Sequence, residues 1–150
     1  MIFVTVGTTS FDKLIEEVDR FSLENNGDDK IICQIGNGVY IPEYCEYFRF
    51  KPNIDQMVND AEIVITHGGT TVINLILAGK RFVAIANTDL ADDHQSRMLK
   101  KINSVRSISW SDDVSRLSFL INSEKNKKRE KGSRVSFDRL VGDITSYISN

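Results

Sequence analysis

One stretch in the middle of the chain decides the fold: EIVITHGGTTVINLILAG, residues 62–79. Residues 63–66 are apolar and β-branched, and a run of this length is typical of a buried strand. Residues 72–78 are apolar on nearly every side, which predicts a buried helix that ends at Gly79 as its C-cap. The polar turn HGGTT, residues 67–71, joins the two. The stretch therefore predicts a strand, a sharp turn and a helix.

The turn at residues 67–71 is predicted to bind an anion. The first amides of a helix have no intrahelical acceptor, and the helix dipole places positive charge at the same end. Gly68 and Gly69 would let the backbone approach a ligand closely, while Thr70 and Thr71 would add hydroxyl groups. The alternative interpretation is a tight turn whose threonines only cap the helix.

Strands and helices alternate along the rest of the chain. Further strands are predicted at residues 2–6, 30–35, 44–50, 81–86 and 106–110. A second Gly-Thr-Thr turn follows the first strand, and Thr9 or Ser10 would cap the amphipathic helix after it. This order predicts a single α/β domain, residues 1–150, with a doubly wound, mostly parallel, Rossmann-like sheet of about six strands. Turns at the carboxyl ends of the strands would then form a ligand cleft along one edge.

Composition and missing motifs exclude several functions. The net charge of −2 gives no general reason to expect nucleic acid as a partner. The G-x-G at residues 36–38 lacks the third glycine of a dinucleotide fingerprint, and no P-loop motif occurs. With His67 and His94 as the only histidines and no spaced carboxylate ligands, neither a metal site nor another cofactor is expected. Cys33 and Cys45 suggest neither a disulfide framework nor a zinc site.

The expected location is cytoplasmic. No apolar run is long enough to span a membrane, and the N-terminal residues MIFVTVG lack the basic region of a signal peptide. A basic cluster within residues 125–134 is interpreted as a solvated loop or, alternatively, as a contact with a phosphate-rich membrane surface or an acidic partner.

Three motifs together carry a resemblance to a known family. VTVGTTSFDKLI at residues 4–15 resembles the opening of the small glycosyltransferases that are similar to the C-terminal half of the lipid II-forming N-acetylglucosaminyltransferase. ITHGGTT at residues 65–71 is similar to that family's His-Ala/Gly-Gly turn, and DDHQ at residues 92–95 to its Asp/Asn-His-Gln signature. The family includes soluble subunits of the transferase that forms dolichol-linked chitobiose and of two-component bacterial exopolysaccharide transferases.

The resemblance implies a single GT-B half that binds a UDP-sugar without a metal. The turn from Gly68 to Thr71 would hold the diphosphate, and the segment Phe50-Lys51-Pro52 would read the uracil edge. Asn74 lies near the position where the family places an acidic residue on the ribose. The donor-binding residues implied are Gly7, Thr8, Thr9, Phe50, Lys51, His67, Gly68, Gly69, Thr70, Thr71, Asn74, Asp93, His94 and Gln95, of which the last three would face the sugar hydroxyls.

Simpler roles stay open for some of these residues. His67 could only bond a neighbouring loop, and Asp92 and Asp93 could only cap the helix that follows them. No catalytic base is assigned, and His67 and His94 are the candidates if this chain holds one.

A sugar transferase must exclude water from the anomeric carbon and present an acceptor hydroxyl, and one domain of this size supplies one wall of such a cleft. We therefore expect a donor-binding subunit that needs a partner chain. The resemblance implies a membrane-anchored partner that holds a polyprenyl-diphosphate-linked saccharide, in exopolysaccharide or capsule synthesis. An amphipathic helix predicted at residues 135–149, with the basic loop before it, would dock this partner; without the partner, the chain could form a homodimer.

Two other classes of function were weighed against this one. The alternative is a non-catalytic nucleotide-binding or regulatory domain of flavodoxin-like architecture. A self-sufficient hydrolase is disfavoured, because no G-x-S-x-G elbow occurs and neither cysteine lies in an electropositive turn.

Overall fold

A computed structural model describes residues 1–89 and 93–127, together with Gly142. Six strands in this part form one sheet: β1 (Ile2–Thr5), β2 (Ile31–Gln34), β3 (Glu46–Phe48), β4 (Ile63–His67), β5 (Phe82–Ile85) and β6 (Ser109–Ser111). Their order is β3-β2-β1-β4-β5-β6, and every neighbouring pair is parallel. The prediction of a parallel, Rossmann-like sheet of about six strands is confirmed.

Helices cover both faces of the sheet. They are α1 (Asp12–Glu24), α2 (Asp55–Asp60), α3 (Thr70–Leu77), α4 (His94–Val105) and α5 (Leu117–Asn126), and a short 3-10 helix, Val114–Arg116, leads into α5. Buried side chains of α1 and α5 form one core with Ile2, Val4 and Ile65, while those of α3 and α4 form a second core with Phe3 and Val64. Successive residues of β1 and β4 point into opposite cores, which explains their unbroken apolar runs.

The ends of several elements differ from prediction. The strand expected at residues 44–50 is limited to Glu46–Phe48. The strand expected at residues 106–110 begins only at Ser109, because α4 continues to Val105 and Asn103 Oδ1 then accepts a hydrogen bond from the Ile108 amide at 3.0 Å. At the end of α3, Gly79 follows the C-cap Ala78 with a left-handed φ of 66°.

Two predictions about helices were wrong. Neither Thr9 nor Ser10 caps α1, which begins after Phe11 without a side-chain cap, because the Thr9 hydroxyl instead donates to the Val6 carbonyl at 2.9 Å. Nor is α3 buried on every side: Leu77 is 54% exposed, since α3 packs on the sheet through one face.

The helix predicted at residues 135–149, Asp92 and most of the basic cluster lie outside the described residues. Two lysines of that cluster are described, and both contact carboxylates: Lys125 Nζ lies 2.6 Å from Asp29 Oδ2, and Lys127 Nζ lies 3.3 Å from Glu124 Oε2. In residues 1–89 and 93–127, no helix is long and apolar enough to cross a membrane.

Candidate functional site

The carboxyl ends of β1, β4 and β5 are neighbours in the sheet, and the segments that follow them form the candidate site. In the described part of the chain, these segments are residues 6–10 after β1, residues 68–69 between β4 and α3, and residues 86–89 and 93 between β5 and α4. Three groups of predicted site residues therefore meet at one edge: Gly7 to Thr9, His67 to Thr71, and Asp93 to Gln95.

The turn between β4 and α3 offers fewer open amides than the sequence suggests. The Gly69 amide donates to the His67 carbonyl at 2.9 Å, and the Gly68 amide donates to Gln95 Oε1 at 3.2 Å. The amides of Thr70 and Thr71 occupy the first positions of α3, and no acceptor in the described part of the chain bonds to them. An anion at this helix end would therefore meet the amides and hydroxyls of Thr70 and Thr71.

Both glycines of the turn are required by close packing. A Cβ atom on Gly68 would lie 3.0 Å from Gln95 Cβ and 3.0 Å from Leu99 Cδ1, both in α4. A Cβ atom on Gly69 would lie 3.1 Å from Cε1 of His67. The two glycines thus allow α4 and the His67 ring to press against the turn.

Gln95 connects the turn to the other strand ends. Its Oε1 atom accepts hydrogen bonds from the Gly68 amide at 3.2 Å and from the Asn87 amide at 2.7 Å. Its Nε2 atom lies 3.1 Å from His67 Nδ1. The polar groups of the Gln95 side chain, which were predicted to face sugar hydroxyls, therefore already have protein partners.

The environment of His67 keeps its ring neutral. An amide NH₂ group only donates, so His67 Nδ1 accepts from Gln95 and the ring proton lies on Nε2, which bonds the Val6 carbonyl. Burial lowers the pKa of His67 below its usual 6.5, although the bonds to Gln95 and Val6 act in the opposite direction. With both ring nitrogens bonded to protein groups, His67 is poorly placed to take a proton from a substrate.

The loop of residues 7–10 forms the rim on the β1 side of the site. Thr8, Thr9 and Ser10 are exposed. The loop rests against the turn after β2, where Asn37 Nδ2 donates to the Thr8 carbonyl at 3.1 Å. A Cβ atom on Gly36 would lie only 2.1 Å from the Thr9 carbonyl oxygen. The hydroxyls of Thr8 and Thr9 are thus on a loop of fixed position.

The remaining predicted residues lie farther out. Asp93 precedes α4 without capping it, and its carboxylate lies 2.8 Å from the Arg97 guanidinium. His94 and Asn74 are exposed on the first turns of α4 and α3. Phe50 and Lys51 follow β3, three strand spacings from β4, so a ligand that touches both regions would span about 14 Å.

Two polar residues near the site were missed from the sequence. Asn87, 7% exposed, lies two residues after β5 and bonds Gln95 in α4, Ser10 in the loop after β1, and the amide of Asp89 in its own loop. Thr66 is fully buried beside Thr5, and in the described part of the chain its hydroxyl has no hydrogen-bond partner. An asparagine in a polar loop and a threonine in a strand carry no distinguishing pattern. Also within the described residues, no group of three His, Cys, Asp or Glu side chains could hold a metal ion.

Residues 1–105 match the glycosyltransferase family 28 C-terminal domain. The chain belongs to this family. The matched residues include the loop after β1, the turn before α3 and the start of α4, so all three motifs quoted from the sequence fall within the match.

The relatives in this family differ greatly in length. The chain is 32% identical over 114 residues to the human UDP-N-acetylglucosamine transferase subunit ALG13. The alignment covers 68% of this chain and 10% of the human protein. It is 26% identical over 134 residues to the subunit of the same name from Yarrowia lipolytica, covering 80% of this chain and 68% of the yeast protein. The chain thus spans about a tenth of the human relative.

Solved structures share the fold. The crystal structure of Acinetobacter baumannii MurG aligns with a TM-score of 0.63 and 16% identity, covering 97% of this chain and 49% of MurG. The solution structure of ALG13 aligns with a TM-score of 0.58 and 21% identity, covering 93% of both chains. The chain therefore corresponds to one half of MurG, as expected of a single GT-B half.

Proposed function

We propose that this chain is the UDP-sugar-binding subunit of a two-component glycosyltransferase whose acceptor site is on a partner chain. The observation that carries the proposal is the start of α3, where the amides of Thr70 and Thr71 are open at the edge shared by the family's three motifs. The relatives are named as subunits of a UDP-N-acetylglucosamine transferase, which makes UDP-N-acetylglucosamine the first donor to test.

In the proposed reaction, the oxygen of an acceptor hydroxyl forms a bond to the anomeric carbon and its proton passes to a general base, while the bond from that carbon to the β-phosphate oxygen breaks and releases UDP. Negative charge grows on the departing diphosphate. The amides and hydroxyls of Thr70 and Thr71, with the positive end of the α3 dipole, would stabilise that charge. Catalysis by this chain would thus consist mainly of holding the leaving group.

The other contacts follow the positions of the strands. The backbone of residues 50–52, beyond β3, would contact uracil, and Asp93 and His94, beyond β5, would contact the sugar. We assign Gln95 to support of the turn, because its side-chain groups already bond to Gly68, Asn87 and His67. His94 remains the histidine candidate for a catalytic base in this chain, and otherwise the partner supplies the base.

The partner is proposed from the names of the relatives, which are subunits of a transferase. The described fold aligns with 49% of MurG, and we propose that another chain contributes the other wall of the cleft. We propose that this partner is membrane-anchored and holds a lipid-linked saccharide in exopolysaccharide or capsule synthesis. The chain would then be cytoplasmic and recruited to the membrane by its partner.

The donor site is tested by NMR titration with UDP, UDP-N-acetylglucosamine and other UDP-sugars, first in EDTA and then with Mg²⁺. We expect shifts at Gly7 to Thr9, at Thr70 and Thr71, and at Asp93 and His94, without a requirement for metal. A preference for a UDP-sugar over UMP would distinguish the donor subunit from a regulatory nucleotide-binding domain. Absence of shifts both for the chain alone and for the chain co-purified with its membrane partner would overturn the proposal.

Replacement of Thr70 by proline tests the role of the amides at the start of α3. Thr70 is the first residue of α3 and the preceding Gly69 is extended, so a proline is compatible with the backbone there. Thr70→Pro removes an amide and a hydroxyl, whereas the matched variant Thr70→Ala removes the hydroxyl alone. We expect Thr70→Pro to weaken UDP binding about tenfold relative to Thr70→Ala, because hydrogen bonds to charged groups are strong. Equal affinities would show that the diphosphate lies elsewhere.

A further inference from the structure

The segments after β1 and β5 meet across the end of β4. Because β4 lies between these two strands, their ends are about 10 Å apart. Asn87 Nδ2 nevertheless donates to the Ser10 carbonyl at 3.3 Å, and Lys13 Nζ lies 2.9 Å from Asp89 Oδ1. We call these two contacts the β1–β5 bridge.

Asn87 is the main element of the β1–β5 bridge. Lys13 and Asp89 are both more than half exposed, so water and salt screen their ion pair. Asn87 is only 7% exposed, and its backbone amide and both polar atoms of its side chain are hydrogen-bonded. Its backbone amide donates to Gln95 Oε1 at 2.7 Å, and its Oδ1 atom accepts from the Asp89 amide at 3.1 Å while Nδ2 bonds Ser10. An amide side chain can donate and accept at once, which an aspartate cannot do.

The bridge continues into the contacts of the β4 turn. Gln95, bonded to Asn87, also bonds His67, and the His67 ring bonds the Val6 carbonyl just before the loop of residues 7–10. The bonds therefore form a closed ring that joins the ends of β1, β4 and β5. None of these bonds uses the amides of Thr70 and Thr71, so the ring and the proposed diphosphate contacts are separate.

We propose that Asn87 is a positioning residue that holds the loop of residues 7–10 against the β5 side of the cleft. The inference rests on the proposed function, because it places the hydroxyls of Thr8 and Thr9 on the side where the sugar of a UDP-sugar would lie. Loss of the Asn87 side chain would free the loop on this side, while its contacts with Asn37 on the other side would remain. Discrimination between UDP-sugar and UDP would fall, while binding of the diphosphate itself would persist.

The test compares Asn87→Ala with Asn122→Ala, which changes an exposed asparagine on α5. In the ligand-free protein, amide hydrogen exchange at Gly7, whose amide donates to Thr5 Oγ1, and at Asn37, whose amide donates to the Thr9 carbonyl, should accelerate about tenfold in Asn87→Ala and stay unchanged in the control. In titrations, Asn87→Ala should bind UDP within about twofold of the unmodified chain but lose about tenfold of its affinity for UDP-N-acetylglucosamine. Lys13→Met changes an exposed residue outside the core. It should alter the amide exchange and the affinity for UDP-N-acetylglucosamine in the same direction, but by less.

The exchange and titration measurements together distinguish a failure of this inference from a failure of the proposed function. Unchanged exchange at Gly7 and Asn37 would overturn the inference, whatever the ligand data show. An equal loss of affinity for UDP and UDP-N-acetylglucosamine would also overturn it, because that result indicates a general loss of structure. If the unmodified chain with its partner binds no nucleotide-sugar while exchange at these two amides still responds to Asn87→Ala, the proposed function fails and the positioning of the loop stands.

Discussion

Replacement of Gln95 by alanine tests whether this side chain supports the fold or contacts a sugar. Gln95→Ala would remove the acceptor of the Gly68 and Asn87 amides and the donor to His67. A residue that contacts only a sugar would leave the stability of the ligand-free protein nearly unchanged. The two roles therefore predict different thermal stabilities in the absence of any ligand.

The expected loss of stability follows from the groups left unpaired. Gly68 and Asn87 are both buried, and a buried amide without an acceptor costs about 1–3 kcal/mol. With partial access of water to the vacated space, we expect Gln95→Ala to reduce the free energy of unfolding by about 3 kcal/mol. For a domain of this size, that reduction lowers the melting temperature by about 10 °C.

A matched control is available on another helix. Gln56 is the second residue of α2, as Gln95 is of α4, but its side chain bonds only the exposed Asp60 carboxylate at 2.8 Å. Gln56→Ala should therefore change the stability by less than about 0.5 kcal/mol. Calorimetry and urea unfolding of both variants provide the measurement. If Gln95→Ala melts within about 1 °C of Gln56→Ala, the internal role assigned to Gln95 is refuted.

Three further predictions concern glycine packing and two titratable groups. Gly36 and Gly27 both have positive φ, but a Cβ atom on Gly36 would lie 2.1 Å from a backbone oxygen, whereas one on Gly27 would meet nothing within 4 Å. In urea unfolding, we expect Gly36→Ala to reduce the free energy of unfolding by about 2 kcal/mol more than Gly27→Ala does. Equal reductions would contradict the close approach at Gly36. Burial lowers the pKa of His67 from 6.5, so His67 binds a proton more tightly in the unfolded chain than in the folded one. The stability of the fold should therefore fall as the pH drops below about 6.5. An NMR titration in which His67 protonates above that pH would contradict this expectation. The hydrogen bond to Asp19 raises the pKa of Tyr40 to about 12. The stability that this bond adds should therefore be complete below about pH 10 and be lost as the pH rises towards 12. Tyr40→Phe should abolish that part of the pH dependence of stability.

The sheet was predictable because its strands leave a clear pattern. Parallel strands buried on both faces require nearly continuous apolar runs, and residues 2–6, 30–35, 63–66 and 81–86 each contain one. The short edge strands β3 and β6 were misplaced by a few residues, because only one neighbour pairs with each of them and local contacts decide where they begin. The apolar pattern of the sequence thus located the central strands of the sheet, and it predicted the bounds of the edge strands less accurately.

The candidate site was predictable in position but not in its internal bonds. The turn before α3 is visible in the sequence as two glycines between a strand and a helix. That the Gly68 amide would be taken by Gln95 could not be seen, because the bond depends on how closely α4 packs against the turn. Asn87 was missed for the same reason: its bond to Ser10, 77 residues away in the sequence, and its bond to the Gln95 side chain exist only in the folded chain. Residue type alone does not distinguish an amide that binds a ligand from one that binds its own protein.

The central position of β1 in the sheet has a consequence for how the chain folds. Residue 2 pairs with residue 31 on one side and with residue 63 on the other, so the first strand made is completed only after β4 has been made. Until then the buried side chains of β1 lack the neighbours that β4 provides, and contacts of such large sequence separation form slowly. We expect a slow main folding phase and a need for protection from aggregation during synthesis, which a chaperone that holds short apolar strands would provide.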